Sequence, residues 1–251
     1  MKRPYLIALM AAVVFCSFIA KEKPKLDLIF IGDSITQGNR VPGDTPPDHT
    51  AKYLRATDKF SRVRVANCGV SGRTTYNFLP GTDLYKKVKA AADTMYTDAQ
   101  STLVFSVMIG TNDSAIKGPK GAPVAPQQYR TNVKTIADSL LERYPRARIV
   151  LNYPIWYSDN THNTSLYMKE GQDRVNLYKL QIDTLVSIYK KANPHHVYKG
   201  DTQAYDYFKQ NYLTDLKPET GGDGTFYLHP NHKGDLVLAE YWGKAILKAI
   251  K

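Results

Sequence analysis

Cysteine is nearly missing from this sequence: among 251 residues there are two, Cys16 and Cys68. A disulfide-stapled scaffold is thereby excluded, since folds of that kind carry several paired cysteines. Blocks of five or six like charges are also absent, as is any aromatic-basic RNA-binding signature. Nucleic acid is therefore not an expected partner, although 34 Lys and Arg outnumber 23 Asp and Glu. No internal repeat or low-complexity linker interrupts the chain. Catalytic signatures are missing too, with no Gly-x-Ser-x-Gly elbow, no Walker loop, no Gly-x-Gly-x-x-Gly and no His-Glu-x-x-His. His195 and His196 are adjacent, so a strand would point them to opposite faces, and with His229 and His232 they form no recognised ligand spacing. No metal is expected.

What is present divides the chain into a leader and one domain. Lys2 and Arg3 precede an almost purely apolar run, Leu6 to Ala20, which Lys21, Glu22 and Lys23 close. That is the layout of a secretory signal, and the run is shorter than the roughly 20 apolar residues that span a bilayer comfortably. Residues 1–20 are expected to be a signal peptide or lipoprotein leader, leaving an exported chain with no stable membrane span. Ala20 suits the position before a cut while Phe18 is bulky for one, and Phe15 is equally bulky ahead of a lipidated Cys16, so both routes stand. Residues 21–251 read as one catalytic domain, because 43% hydrophobic and 23% charged positions are the composition of a soluble fold with a full core. Cys68 reads as a small core residue.

Short apolar runs alternate with helical patterns along this domain. Leu26 to Ile31, Val63 to Asn67, Leu103 to Ile109, Ile149 to Tyr153 and His196 to Tyr198 read as buried parallel strands. Helices are expected at Thr50 to Lys59, Asp83 to Ala92, Gln127 to Arg143, Gln172 to Ala192, Tyr205 to Asn211 and Gly234 to Ile250. In the fourth of these, Val175, Tyr178, Ile182, Leu185 and Ile188 recur every three or four residues and mark one buried face. The alternation predicts an α/β fold, a three-layer α/β/α sandwich.

In an open parallel sheet, ligands gather beyond the carboxyl ends of the strands, so the residues expected there carry the information. The first strand is followed by Gly32-Asp33-Ser34-Ile35-Thr36 and the second by Asn67-Cys68-Gly69-Val70-Ser71-Gly72-Arg73-Thr74. Gly110-Thr111-Asn112-Asp113 follows the third, and Leu228-His229-Pro230-Asn231-His232-Lys233-Gly234 stands near the end. Ser34 alone could be a helix cap. Together and in this order, the four clusters resemble the four sequence blocks of SGNH (GDSL-type) hydrolases, over essentially the whole chain from Leu26 onward. The resemblance implies a flavodoxin-like five-stranded parallel sheet, Ser34 as nucleophile and His229 as general base. It also implies an oxyanion hole made of the Ser34 N–H, the Gly72 N–H and the Asn112 side-chain amide, with no cofactor.

The chemistry is coherent without the family name. A serine hydroxyl is a poor nucleophile near neutral pH and needs an imidazole to take its proton. Fixed neutral donors then stabilise the oxygen that becomes negative in ester cleavage. His232 is a rival base, but His-Pro-Asn matches at His229. One departure stands out: the family usually carries an aspartate three residues before this histidine, and here the position is Phe226. Asp223 is the nearest upstream acid; if Thr225 to Tyr227 are an insertion, it is expected to orient His229. The alternative is a Ser–His dyad oriented by a backbone carbonyl or water. The substrate expected from the resemblance is a small ester, foremost an acetylated glycan stacked on Trp156, Tyr157 and Tyr167 of the long loop Pro154 to Gly171. Lipid or lysophospholipid acylhydrolysis and a non-catalytic glycan-binding role are the alternatives.

Overall fold

Five apolar runs form one parallel sheet: β1 (Lys25–Gly32), β2 (Arg62–Asn67), β3 (Ser101–Met108), β4 (Arg148–Leu151) and β5 (Val197–Lys199). The structure, a computed structural model, describes residues 22–251, so the expected leader lies outside the described residues. Strand order is β2-β1-β3-β4-β5, the flavodoxin-like order, with the reversal in winding between β1 and β3. That reversal opens a crevice at the carboxyl ends of β1, β2 and β3.

Both faces of the sheet are covered. Leu26, Leu28 and Phe30 of β1 point into one core with Leu54 of α2 (Pro46–Ala56) and with Trp242 and Ile246 of α7 (His232–Ala249). The Phe30 and Trp242 rings lie 5.4 Å apart. Ile29 and Ile31 point the other way, into a second core with α3 (Asp83–Met95), α4 (Pro126–Arg143) and α5 (Met168–Ala192). This alternation along a strand buried on both faces follows from its two-residue period. Asp27 breaks the apolar pattern of β1 and is fully buried, but Arg64 on β2 donates to both its oxygens, at 2.6 and 2.8 Å. A buried carboxylate is tolerable only when so matched.

Two helices depart from the sequence reading for local reasons. α2 begins at Pro46, ahead of the expected Thr50, because Thr45 and Asp48 close a capping box and the prolines occupy the first turn, where their missing N–H costs nothing. In α5, Ile188 is 39% exposed while Tyr189 is buried. At 3.6 residues per turn, position 189 falls back in line with 178, 182 and 185, whereas 188 is rotated off that stripe.

The sequence reading contained no element corresponding to the hairpin after α6 (Ala204–Asp215). It consists of β6 (Leu216–Gly221) and β7 (Gly224–Pro230), paired antiparallel. The turn is Gly222–Asp223, with Gly224 at φ +87°. Phe226 and Leu228 alternate into the first core, so their partners on the strand, Tyr227 and His229, take the opposite face.

The long loop also differs from expectation. Trp156, Tyr157 and Tyr167 are 8%, 1% and 3% exposed, so none offers a free ring face to a sugar. Trp156 packs against Tyr212, the Tyr157 hydroxyl meets Ser114 Oγ at 2.8 Å, and the Tyr167 hydroxyl bonds Asn112. These rings hold the loop down.

Candidate active site

Ser34 stands where β1 ends and a single helical turn, α1 (Ser34–Gln37), begins. Asp33 caps that turn by accepting the Ile35 N–H at 3.0 Å. Gly32 is required by close approach, since a Cβ there would sit 2.1 Å from Thr36 Oγ1 and 2.3 Å from the Met108 carbonyl. The Ser34 N–H belongs to the first turn, where amide donors have no intrahelical acceptor. It is therefore free to meet a ligand.

The loop after β2 brings Gly72 to the same place. Gln37 Oε1 accepts the Ser71 N–H at 3.0 Å and ties this loop to α1. Gly72 has φ +72° with nothing within 4 Å of where a Cβ would be, so the demand for glycine is conformational rather than steric. After β3, Asn112 is 4% exposed. The Tyr167 hydroxyl donates to its Oδ1 at 2.8 Å, which turns the Nδ2 donor toward the Gly72 loop, where it meets the Arg73 carbonyl at 3.2 Å. Ser34, Gly72, Asn112, Tyr167 and His229 line one cavity of about 140 Å³.

His229 reaches Ser34 from β7, with Nε2 2.9 Å from Oγ. Its Nδ1 faces Glu219, at 2.8 Å to Oε1 and 3.0 Å to Oε2, and its backbone N–H donates to the same carboxylate at 3.2 Å. Burial raises the pKa of Glu219, but the hydrogen bonds and charge of His229 outweigh it and hold the carboxyl below its usual range. Glu219 was missed from sequence. Asp223, expected in that place, instead meets His162 Nδ1 at 2.6 Å at the hairpin tip. Residues in extended chain rise about 3.3 Å each, so six positions put Asp223, in the turn ahead of β7, roughly 20 Å from His229. The residue that faces the imidazole comes from the antiparallel partner strand. A Gly-Gly-Asp-Gly turn between extended segments is a hairpin signal, and it was the clue available. The rival base, His232, points elsewhere, with Nδ1 3.3 Å from Asp44 Oδ1.

Two fully buried carboxyls support the strand-end loops. Asp113 accepts the Thr75 N–H and hydroxyl, which joins the loop after β3 to the segment after Gly72. Burial pushes Asp113 up to about 7, and Asp33 up to about 6. A carboxyl whose folded pKa is raised binds its proton more tightly folded than unfolded, so its contribution to stability is complete below the unfolded pKa and is lost as pH rises through the folded one. The thermal midpoint is accordingly expected to fall as pH rises from about 4 to about 7 and to level off above that range. Asp113→Asn should flatten that slope, as scanning calorimetry at a series of pH values would show; an unchanged slope would refute the assignment.

The sequence pattern of the GDSL-like Lipase/Acylhydrolase family matches residues 30–236. No curated protein matches the chain. Among solved structures, an aryl esterase of M. smegmatis superposes with a TM-score of 0.59 at 15% identity, covering 89% of this chain and 99% of that one. A carbohydrate acetylesterase from Sinorhizobium meliloti gives 0.58 at 14%, covering 89% and 99%. An acetylxylan esterase from Geobacillus stearothermophilus gives 0.57 at 19%, covering 91% and 96%. These likenesses establish the fold. With the family pattern spanning all four strand-end clusters, the chain belongs to the GDSL-like lipase/acylhydrolase family.

Proposed function

We propose that this protein is a serine esterase that removes short acyl groups, acetyl foremost, from a carbohydrate alcohol through an acyl-Ser34 intermediate. The observation that carries the reading is the contiguous chain Ser34 Oγ, His229 imidazole, Glu219 carboxylate, facing the same cavity as Gly72 and Asn112. His229 Nε2 takes the hydroxyl proton as Oγ attacks the ester carbon. The carbonyl oxygen, now negative, is met by the N–H groups of Ser34 and Gly72 and the Asn112 amide. Imidazolium then passes its proton to the departing alcohol oxygen, and a water molecule repeats the sequence to release the acid. Glu219 fixes the tautomer and stabilises the imidazolium without taking a proton, in keeping with its lowered pKa.

Cavity size and lining argue for the substrate. The volume of about 140 Å³ beside Asn112 is lined by Thr111, Asn163, Thr164 and Ser165, a small polar pocket that suits an acetyl group better than a long alkyl chain. On the other side of Ser34, a cavity of about 200 Å³ is lined by Gln37, Asn39, Arg40 and Lys217, groups that hydrogen-bond a polyhydroxylated alcohol. Two of the similar structures bear names for acetyl removal from carbohydrate. That is the substrate class this lining admits.

The test is a chain-length series of p-nitrophenyl esters, followed by acetylated oligosaccharides, with fluorophosphonate labelling of the protein. Labelling at Ser34 and acetate turnover at least about tenfold above decanoate are expected; each tenfold corresponds to about 1.4 kcal/mol in the barrier. Preference for the long chain would favour the lipase reading, and no labelling with no turnover would favour a binding protein. Asn112→Ala is expected to lower kcat by about 10²–10³-fold with little change in KM, since the amide bonds an oxygen that becomes charged only in the transition state. A change confined to KM would remove Asn112 from that role.

A further inference from the structure

Beside the proposed catalytic residues, and sharing none of them, Asp44, His49 and His232 come together from three places in the chain. Asp44 ends the loop that follows α1, His49 lies in the first turns of α2, and His232 is the first residue of α7. Asp44 Oδ1 is 3.1 Å from His49 Nε2 and 3.3 Å from His232 Nδ1, and the three donor atoms all lie within 4.8 Å of one another. The sequence pattern gave no hint of this, because the residues match no ligand spacing.

The second observation is the state of His49. It is 7% exposed, and among the described residues its buried Nε2 has no hydrogen-bond partner. The nitrogen is close enough to Asp44 Oδ1 for a hydrogen bond but is not aligned with it. A zinc ion with ligands at about 2.0–2.2 Å in tetrahedral array sets those ligands about 3.3–3.5 Å apart, close to the 3.1 and 3.3 Å that separate Asp44 Oδ1 from the two ring nitrogens. The imidazole planes cross at 80°, so the rings do not stack against one another. Asn39 Nδ2 donates to the other oxygen of Asp44 at 2.7 Å, the outer contact that commonly orients a ligating carboxylate.

We propose that Asp44 Oδ1, His49 Nε2 and His232 Nδ1 bind a divalent transition metal, zinc by preference, with the remaining position open to water. Two imidazoles and one carboxylate are a donor set suited to zinc and unsuited to magnesium or calcium. The ion clamps the loop carrying Gly38, Asn39 and Arg40, which line the larger cavity, to the start of α7 just beyond His229. Its role is structural, and it holds whether or not Ser34 is a nucleophile.

The experiment uses the full chain, stripped with EDTA and then freed of chelator, titrated with Zn²⁺ by calorimetry and with Co²⁺ by visible absorption. One equivalent of zinc is expected per chain, together with a rise in thermal midpoint that saturates with binding. His232→Ala changes an exposed residue, so it should fold with the wild-type midpoint in EDTA yet lose the equivalent and the shift. Asp44→Asn should weaken binding at least about tenfold, whereas His229→Ala should bind as wild type does. Absence of zinc binding in the wild type would overturn the site. So would a His232→Ala protein that binds normally, or loss of binding in His229→Ala instead.

Discussion

Ser34→Ala is expected to reduce p-nitrophenyl acetate turnover by at least about 10⁴-fold, leaving only the rate that bound donors can support without a nucleophile. The size of the effect follows from the geometry. Ser34 Oγ is the hydroxyl lying 2.9 Å from His229 Nε2, whereas the cavity's other serine and threonine hydroxyls, on Ser71, Thr111, Thr164 and Ser165, make no hydrogen bond to that imidazole among the described residues. Purified Ser34→Ala protein should keep its thermal midpoint, because the side chain is half-buried and the capping contact of this turn belongs to Asp33. Activity retained within about tenfold would show that another group performs the reaction and would end the esterase mechanism proposed for Ser34.

Glu219→Gln carries the second large effect, a loss of about 10²–10⁴ in kcat. An amide can still sit beside His229 Nδ1, but it cannot balance the imidazolium charge that forms when Ser34 gives up its proton. Where it turns its NH₂ group to the ring, it also favours the wrong tautomer. Asp223→Asn is the control, expected within about threefold of wild type because its carboxylate faces His162 at the hairpin tip and surface changes seldom exceed ±0.5 kcal/mol. The pH profile separates catalysis from folding. Because Glu219 has a folded pKa below its ordinary value, it stays charged above that value, and its pairing with His229 is lost only as pH falls through the lowered one. Activity in Glu219→Gln should therefore remain low across the neutral range. If Asp223→Asn proved the more damaging change, the assignment of the orienting acid would be reversed.

The parts of this design that lie along single strands were legible before any coordinates. Apolar runs bounded by Gly and Asn identified all five strands of the sheet. Since parallel strands deliver their carboxyl ends to one edge, the polar clusters just past β1, β2 and β3 were expected together, and the family resemblance singled out Ser34, Gly72 and Asn112 within them. Backbone register hides nothing there, because each residue follows its own strand directly. Glu219 is a different case. It faces His229 across an antiparallel pair whose first strand, Leu216–Gly221, is polar and mostly exposed, so no hydrophobic alternation marks it as a strand. Reading Asp223 as the acid assumed that nearness in sequence means nearness in space, which fails in extended chain.

Burial of the aromatic loop was equally hidden. Trp156, Tyr157 and Tyr167 look like a sugar platform by composition, and only their neighbours, Tyr212, Ser114 and Asn112, show that they are structural. Asp44, His49 and His232 meet because α2 and α7 pack side by side on one face of the sheet.

Sequence alone determined the layering of this protein and the three strand-end loops that converge on Ser34, since hydrophobic periodicity and the rule of parallel crossovers leave few other arrangements. Tertiary structure decided which acid meets His229, which aromatic rings face solvent, and which histidines share a carboxylate. Those outcomes depend on hairpin register and helix docking, where shifting a strand by one residue sends each side chain to the opposite face, and local composition does not encode that choice.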